Sequence, residues 1–323
     1  MKRITKITAA VLMTAISLVM FSCQNSSDNN EEKDKKEKVE ETIPNDAMRY
    51  WNSSSSATEW SVYGVEDLEK LAEVVNSGNA LAGVTITQKK DIVINEKVLS
   101  DDFVEPAEGD EPGTPNPNLK NLDSIGKGKD VEKDNPFSGT YDGQGKIISG
   151  LYMYQGHQGL GLFGFVEEAV IKNVILVDAC VINNNMQYFP DQDTDEHKND
   201  GSDDDRFGGI VGVVGASEDS ETPTEIINCF FAGVVGSKVA KDRGSPYEYI
   251  GAIVGRLEKT EVDISDCIAY SRIYGSSDSP ICGKNKNGQL KTDNVICVDA
   301  SDYDEEMAAD IVAAIKTVQS RVQ

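Results

Sequence analysis

Apolar residues in this chain come in short, largely β-branched runs separated by glycine and Asn/Asp, and one arrangement of them recurs three times. A glycine-framed apolar step, Gly161-Leu162-Phe163-Gly164, precedes the run Ile171-Lys172-Asn173-Val174. The second copy is Gly209-Ile210-Val211-Gly212 followed by Ile226-Ile227-Asn228-Cys229; the third is Ala252-Ile253-Val254-Gly255 followed by Ile264-Ser265-Asp266-Cys267. The steps begin 48 and 43 residues apart, a period that marks a stack of supersecondary units. A unit of that length cannot bury its own apolar face, so each coil must cover the next. The pattern therefore predicts an all-β stack of short strands.

The repeated residue types follow from that stacking. Small residues at the same place in every coil, Gly161, Gly164, Gly209, Gly212 and Gly255, with Gly139 and Gly143 upstream, let neighbouring backbones approach to strand spacing. Asn173, Asn228 and Asp266 fall at the bend after each step, where a short polar side chain tolerates left-handed backbone and bonds locally. Stacked amides can also bond from coil to coil, and an unsatisfied buried one costs about 1–3 kcal/mol.

Two stretches carry a different period. Leu68, Leu71, Ala72 and Val75 recur at helical spacing between Val65 and Asn76, and Gly78 stands where a left-handed C-cap belongs. This amphipathic helix is expected to cover the first coil, whose bare strand edges would otherwise template strand addition. Ile311, Val312, Ile315, Val318 and Val322 form a second stripe after a Ser301/Asp304 start signal, so a C-terminal helix is expected over 301–323, capping the last coil. Short strands are predicted around Val84 to Ile86 and Asp91 to Ile94. A Pro- and acid-rich insertion near 99–135 and an acidic one near 185–206 read as surface loops.

The N-terminal residues read as an address. Lys2, Arg3 and Lys6 precede an uncharged stretch from Ile7 to Ser22, the pattern of a signal peptide over 1–22. Val19-Met20-Phe21-Ser22-Cys23 resembles a bacterial lipoprotein cleavage site, which implies lipid on Cys23. Residues 24–42 hold one apolar side chain, Val39, among many charges, so 23–48 is expected to be a solvated tether and 49–300 the strand domain.

The stretch Asn135-Pro136-Phe137-Ser138-Gly139-Thr140-Tyr141-Asp142-Gly143-Gln144-Gly145-Lys146-Ile147-Ile148-Ser149-Gly150-Leu151, running into the first repeat, resembles the GLUG-type repeat proteins of bacterial surfaces and secretions. The likeness extends with gaps over roughly residues 60–300, and its most specific part is Phe137-Ser138-Gly139-Thr140-Tyr141-Asp142-Gly143. It implies a right-handed parallel β-helix, or β-solenoid, and the helix before it matches a cap common in such proteins. The long acidic insertions depart from the family pattern, and the family offers no shared catalytic residues.

Charge and chemistry narrow the function. With 31 Lys+Arg against 55 Asp+Glu the net charge is −24, which argues against nucleic acid and against anionic membrane surfaces as partners. Gly159-Leu160-Gly161-Leu162-Phe163-Gly164 spells GxGxxG with Asp178 downstream, but the residues between read as strand where a dinucleotide site needs a helix. Histidine occurs only at His157 and His197, both read as exposed loop residues. Cys180, Cys229, Cys267, Cys282 and Cys297 show no CxxC spacing for zinc, and Cys229 and Cys267 occupy the core position of Val174. No cofactor is expected; the one metal the pattern admits is calcium, at Asp191, Asp193 and Asp195, though the EF-hand spacing fails at Glu196 and Ser202.

Together these features read as a lipid-anchored protein of the bacterial cell envelope, at the outer membrane or cell surface. It is expected to be non-catalytic, presenting its stack for adhesion or for binding a glycan or a host or neighbour-cell protein. A carbohydrate-active enzyme, a polysaccharide lyase or glycoside hydrolase with carboxylates near Arg206 or Lys284, is the alternative. A purely structural envelope component is a third reading.

Overall fold

The computed structural model describes residues 42–99, 116–127, 134–155, 159–183, 206–215, 222–236, 249–275, 277–300 and 305–322. These residues form twenty short strands and two α-helices, and the strands within each sheet run parallel. The N-terminal part holds β1 (Glu59–Val62), α1 (Val65–Asn76), β2 (Thr85–Gln88), β3 (Ile92–Val93), β4 (Thr140–Asp142), β5 (Ile147–Ser149) and β6 (Tyr152–Gln155). Then come β7 (Phe163–Val166), β8 (Val170–Lys172), β9 (Ile175–Asn183), β10 (Phe207–Gly208), β11 (Val211–Val214), β12 (Thr224–Ile227) and β13 (Phe230–Gly236). The C-terminal part holds β14 (Ile250–Gly251), β15 (Val254–Glu258), β16 (Glu261–Ser265), β17 (Ile268–Tyr274), β18 (Cys282–Lys286), β19 (Gln289–Asp293), β20 (Ile296–Asp299) and α2 (Glu305–Ser320).

Three sheets carry the body. Sheet 1 has the order β1-β2-β4-β8-β12-β16-β19, sheet 2 the order β7-β11-β15-β18, and sheet 3 the order β3-β5-β9-β13-β17-β20 with β6 beside β5 on β9. The chain visits sheets 2, 1 and 3 in that order four times, as β7-β8-β9, β11-β12-β13, β15-β16-β17 and β18-β19-β20. Each strand pairs with its counterpart one coil away, in the register Tyr141–Ile171–Ile226–Ile264–Thr292 along sheet 1. All but Thr292 of that column point into one continuous core. The fourth coil is a copy that the sequence pattern did not single out, because Thr292 takes the place of the isoleucine that opens the run in the other three.

Glycines stack where the lead-in to each coil crosses sheet 2. Gly164, Gly212, Gly255 and Gly283 lie in register, and a Cβ on Gly212 would stand 2.6 Å from the carbonyl carbon of Gly159. A Cβ on Gly255 would stand 2.6 Å from the oxygen of Gly212, so close backbone approach selects these residues. The bend after sheet 1 is left-handed in each of the four coils: Asn173, Asn228, Asp266 and Asn294 have φ of 57°, 51°, 56° and 52°. Each of the first three donates its backbone N–H to the next coil, to Ile227, Ser265 and Asp293 respectively, at 2.9–3.0 Å.

Four expectations are corrected. Ala47 and Met48 are fully buried and Ser61 donates to Asp46, so the folded body begins inside the stretch 23–48 expected to be tether. Part of the 99–135 insertion belongs to the stack: Leu122 and Ile125 are buried and their N–H groups bond Tyr152 and Leu162. Arg206, the last residue of the acidic insertion near 185–206, is also buried and its carbonyl accepts from Leu160. Finally, α2 does not cap the last coil. It lies across the outer side of sheet 3, where Ile311, Ala314, Ile315 and Val318 cover the outward residues Ile147, Ile175, Phe230 and Ile268. Those residues alternate with inward Ile148, Leu176, Phe231 and Ala269, so sheet 3 is apolar on both faces and needs a cover on the outside.

Candidate binding face on sheet 1

Because strands alternate their side chains, the residues between the inward positions of sheet 1 form columns on its outer face. One column reads Glu59–Thr85–Thr140–Val170–Glu225–Asp263–Lys291 and the other Ser61–Thr87–Asp142–Lys172–Ile227–Ser265–Asp293. At roughly 4.8 Å per strand, the six gaps give a face about 29 Å long. Its C-terminal third is hollowed into a groove of about 350 Å³ lined by Glu225, Ile227, Asp263, Ser265, Lys291 and Asp293 among others.

The charges of this face are partly joined. Lys291 bonds Glu261 and lies 3.8 Å from Asp263, and the bond to Glu261 is the main cause that holds its ammonium above the ordinary pKa. Farther along, Lys172 lies 3.2 Å from Asp142. Burial works against a charge on Asp142, but bonds from Asn173, the Gln144 N–H and Lys172 outweigh it and hold its carboxyl below the ordinary range. Glu225 and Asp263 face out from adjacent strands in direct register, so the groove offers these two neighbouring carboxylates and that of Asp293, the Lys291 ammonium, the hydroxyls of Ser265 and Thr292, and the outward apolar side chain of Ile227. That set can hydrogen-bond the hydroxyls of an extended polymer while Ile227 meets its apolar faces.

The predicted turn residues flank this face. Asn173 donates to Asp142 at 2.9 Å, Asn228 to Asn173 at 2.7 Å, and Asn294 to Asp266 at 2.5 Å. The side-chain chain breaks between Asn228 and Asp266, where the Asn228 amide oxygen is buried without a hydrogen-bond partner. A carboxylate at 266 cannot donate, which explains the gap. Asn228 also donates to the carbonyl of Val318, so the turn column ties α2 to the stack.

Other singled-out residues take structural places. Asp178 sits at a bulge in β9 with φ of 53°, accepts the N–H groups of Val98 and Leu99 at 2.8 Å, and has its carboxyl pushed up to about 6 by burial. The GxGxxG stretch enters strand β7, not a helix. Cys180, Cys229, Cys267, Cys282 and Cys297 are free thiols, with Cys229 and Cys267 fully buried. Arg206 and Lys284 lie on the outside of sheet 2 rather than beside the groove: Arg206 and Arg256 are buried and meet Glu258 at 3.4 and 2.8 Å, and Arg256 and Lys284 flank the Tyr249 ring. Cys23, His157, His197, Asp191, Asp193 and Asp195 lie outside the described residues. Among the described residues no three His, Cys, Asp or Glu side chains gather as a metal site, and no helix is long and apolar enough to cross a membrane.

Sequence reasoning missed Glu225, Asp263 and Lys291. The signal for the first two was present, because aligning Ile226 with Ile264 already puts their predecessors in register. Lys291 required the fourth coil.

No family model matches the chain, and no curated protein matches it. Among solved structures, a crystal structure titled a "putative immunoglobulin A1 protease" from Bacteroides ovatus is similar over 75% of this chain and 68% of that one, with 16% identity and a TM-score of 0.40. A likeness of that size carries no argument about activity.

Proposed function

We propose that this protein is a lipid-anchored component of the bacterial cell envelope, built as a right-handed parallel β-helix of the GLUG type, that binds an extended glycan or a protein surface along sheet 1 without turning it over. The observation that carries the reading is the two-column outer face of seven in-register strands, long and rigid, with its groove near Asp263. Lipid on Cys23 would hold the domain at the membrane on the charged segment that follows. A glycan and protein array probed with the wild type and with Asp263→Ala tests the reading: a ligand retained by the first and lost by the second is expected, and equal binding would refute the face. For the anchor, Cys23→Ser is expected to leave the membrane fraction, and unchanged partition without lipid mass would refute it.

A second reading has its own observation. Glu225 and Asp263 lie in register on adjacent strands, and a pair of carboxylates is the chemistry that glycoside hydrolysis uses. Release of new reducing ends or unsaturated uronates from a polysaccharide panel, abolished by Glu225→Gln, would replace binding with catalysis.

A further inference from the structure

The stack ends at β18, β19 and β20, and no described strand pairs with their far edges. On β19 the residues Gln289, Leu290, Lys291, Thr292 and Asp293 are exposed apart from the half-buried Leu290, and Thr292 stands where the three preceding coils place Ile171, Ile226 and Ile264. Gln289 donates to Thr260, and Asp293 accepts from Asp266, so residues 289, 291 and 293 turn their backbone groups toward β16. The N–H and C=O groups of Leu290 and Thr292 therefore face the open edge. Such an edge takes another strand.

The charge pattern on that edge says which strand fits. If two copies of β19 pair antiparallel about a two-fold centred on Thr292, the two threonines exchange both backbone hydrogen bonds and Lys291 of each copy stands directly opposite Asp293 of the other. These are non-hydrogen-bonded positions, where cross-strand side chains lie closest. Centring one residue earlier would set Lys291 against itself. The same two-fold exchanges sheets 2 and 3, so β18, with Lys284 and Lys286, meets β20, with Asp299. Head-to-tail stacking is blocked, because α1 already covers the other end of the stack.

We infer that the open end is a homodimer interface, joining two copies of this chain tail to tail through antiparallel β19 edges. The two sheet 1 faces then meet at the junction, and the N-terminal ends point away from each other. This goes beyond the binding reading and does not depend on it, because association is measured without any ligand.

Sedimentation equilibrium of the full chain in detergent tests it. A concentration-dependent monomer–dimer equilibrium is expected. Lys291→Asp and Asp293→Lys each set two like-charge pairs across the junction, and each is expected to weaken the dimer about tenfold. The exchange variant carrying both substitutions restores opposite charges and is expected to recover most of that loss, a rescue that a role confined to one copy would not give. Thr292→Pro removes the central donor and is expected to be monomeric, with circular dichroism confirming its fold. A wild type that stays monomeric, a dimer indifferent to both charge variants, or an open-ended polymer would each overturn the inference.

Discussion

The two ends of the stack are finished by different means although each has an amphipathic helix nearby. At the N-terminal end α1 lies over the core, with Leu68, Leu71, Ala72 and Val75 packed into it. Its first turn is fixed by Asp67, which is fully buried and accepts from the Arg49 backbone N–H, from Arg49 Nε and Nη2, and from the Tyr63 N–H at 2.7–2.9 Å. At the C-terminal end α2 goes to the flank, and the last coil is left with Thr292, Lys291 and Asp293 exposed. The difference teaches that an apolar stripe does not choose its target by position in the chain. It goes to an apolar surface that the sheets themselves leave uncovered, which here is the outward row Ile147, Ile175, Phe230 and Ile268.

The largest effect expected from breaking this contrast is at the N-terminal cap. Asp67→Ala leaves the Arg49 charge and the backbone donors without their acceptor, and a loss of about 3–5 kcal/mol is expected in denaturant titration. The Asp67 carboxyl is held below its ordinary pKa: burial opposes the charge, and the bonds from Arg49 and Tyr63 outweigh it. Its contribution is therefore present above the ordinary carboxylate pKa and lost as pH falls through the lowered one, so the variant and the wild type should converge in acid.

Next in size, Leu71→Ala empties a fully buried site under α1 and is expected to cost about 2–5 kcal/mol, whereas Leu290→Ala in the half-buried last coil should cost about 1 kcal/mol or less. The small Leu290→Ala loss is expected of the dilute monomer; in the dimer the same residue is covered, so a loss that grows with protein concentration is expected, and one that stays small at every concentration would count against the dimer.

Asp178, inside the stack, has the opposite pH sign to Asp67. With its carboxyl raised from 3.8 to about 6, the folded state binds the extra proton between those values, so its contribution is complete below the ordinary pKa and lost as pH rises through about 6. The stability of the wild type relative to Asp178→Asn should fall by up to roughly 3 kcal/mol across that window. A flat difference would refute the burial that raises the carboxyl.

The turn column gives the smaller effects. Asn228→Leu removes donors to Asn173 and Val318 and is expected to cost about 1–3 kcal/mol, loosening α2 as well as the coils. Asp266→Asn restores a donor toward the unsatisfied Asn228 oxygen and is expected to stabilise by about 1 kcal/mol, against a partly exposed ion pair with Arg321 at 3.5 Å that is worth little. No gain in thermal midpoint would mean that the two side chains do not meet.

Much of this architecture was legible in particular residues. Asn173, Asn228 and Asp266 announced left-handed bends because few residue types occupy that backbone region without cost, and the glycine steps announced close stacking for the same steric reason. The core identity of Cys229 and Cys267 followed from alignment with Val174. The binding face was harder to read, since Glu225, Asp263 and Lys291 are ordinary polar residues until the register brings them into one groove.

What the sequence determined by itself was therefore local: which residues bend, which run as strand, where two helices form, and that the copies must stack. Those choices depend on φ preference, side-chain alternation and period, each contained within a short window. The tertiary structure decided where α2 docks, that residues 116–127 enter the stack, and that a fourth coil ends the stack among the described residues. These outcomes depend on competition among apolar surfaces and on hydrogen-bond register between segments far apart in the chain, and neither quantity exists until the coils are in place.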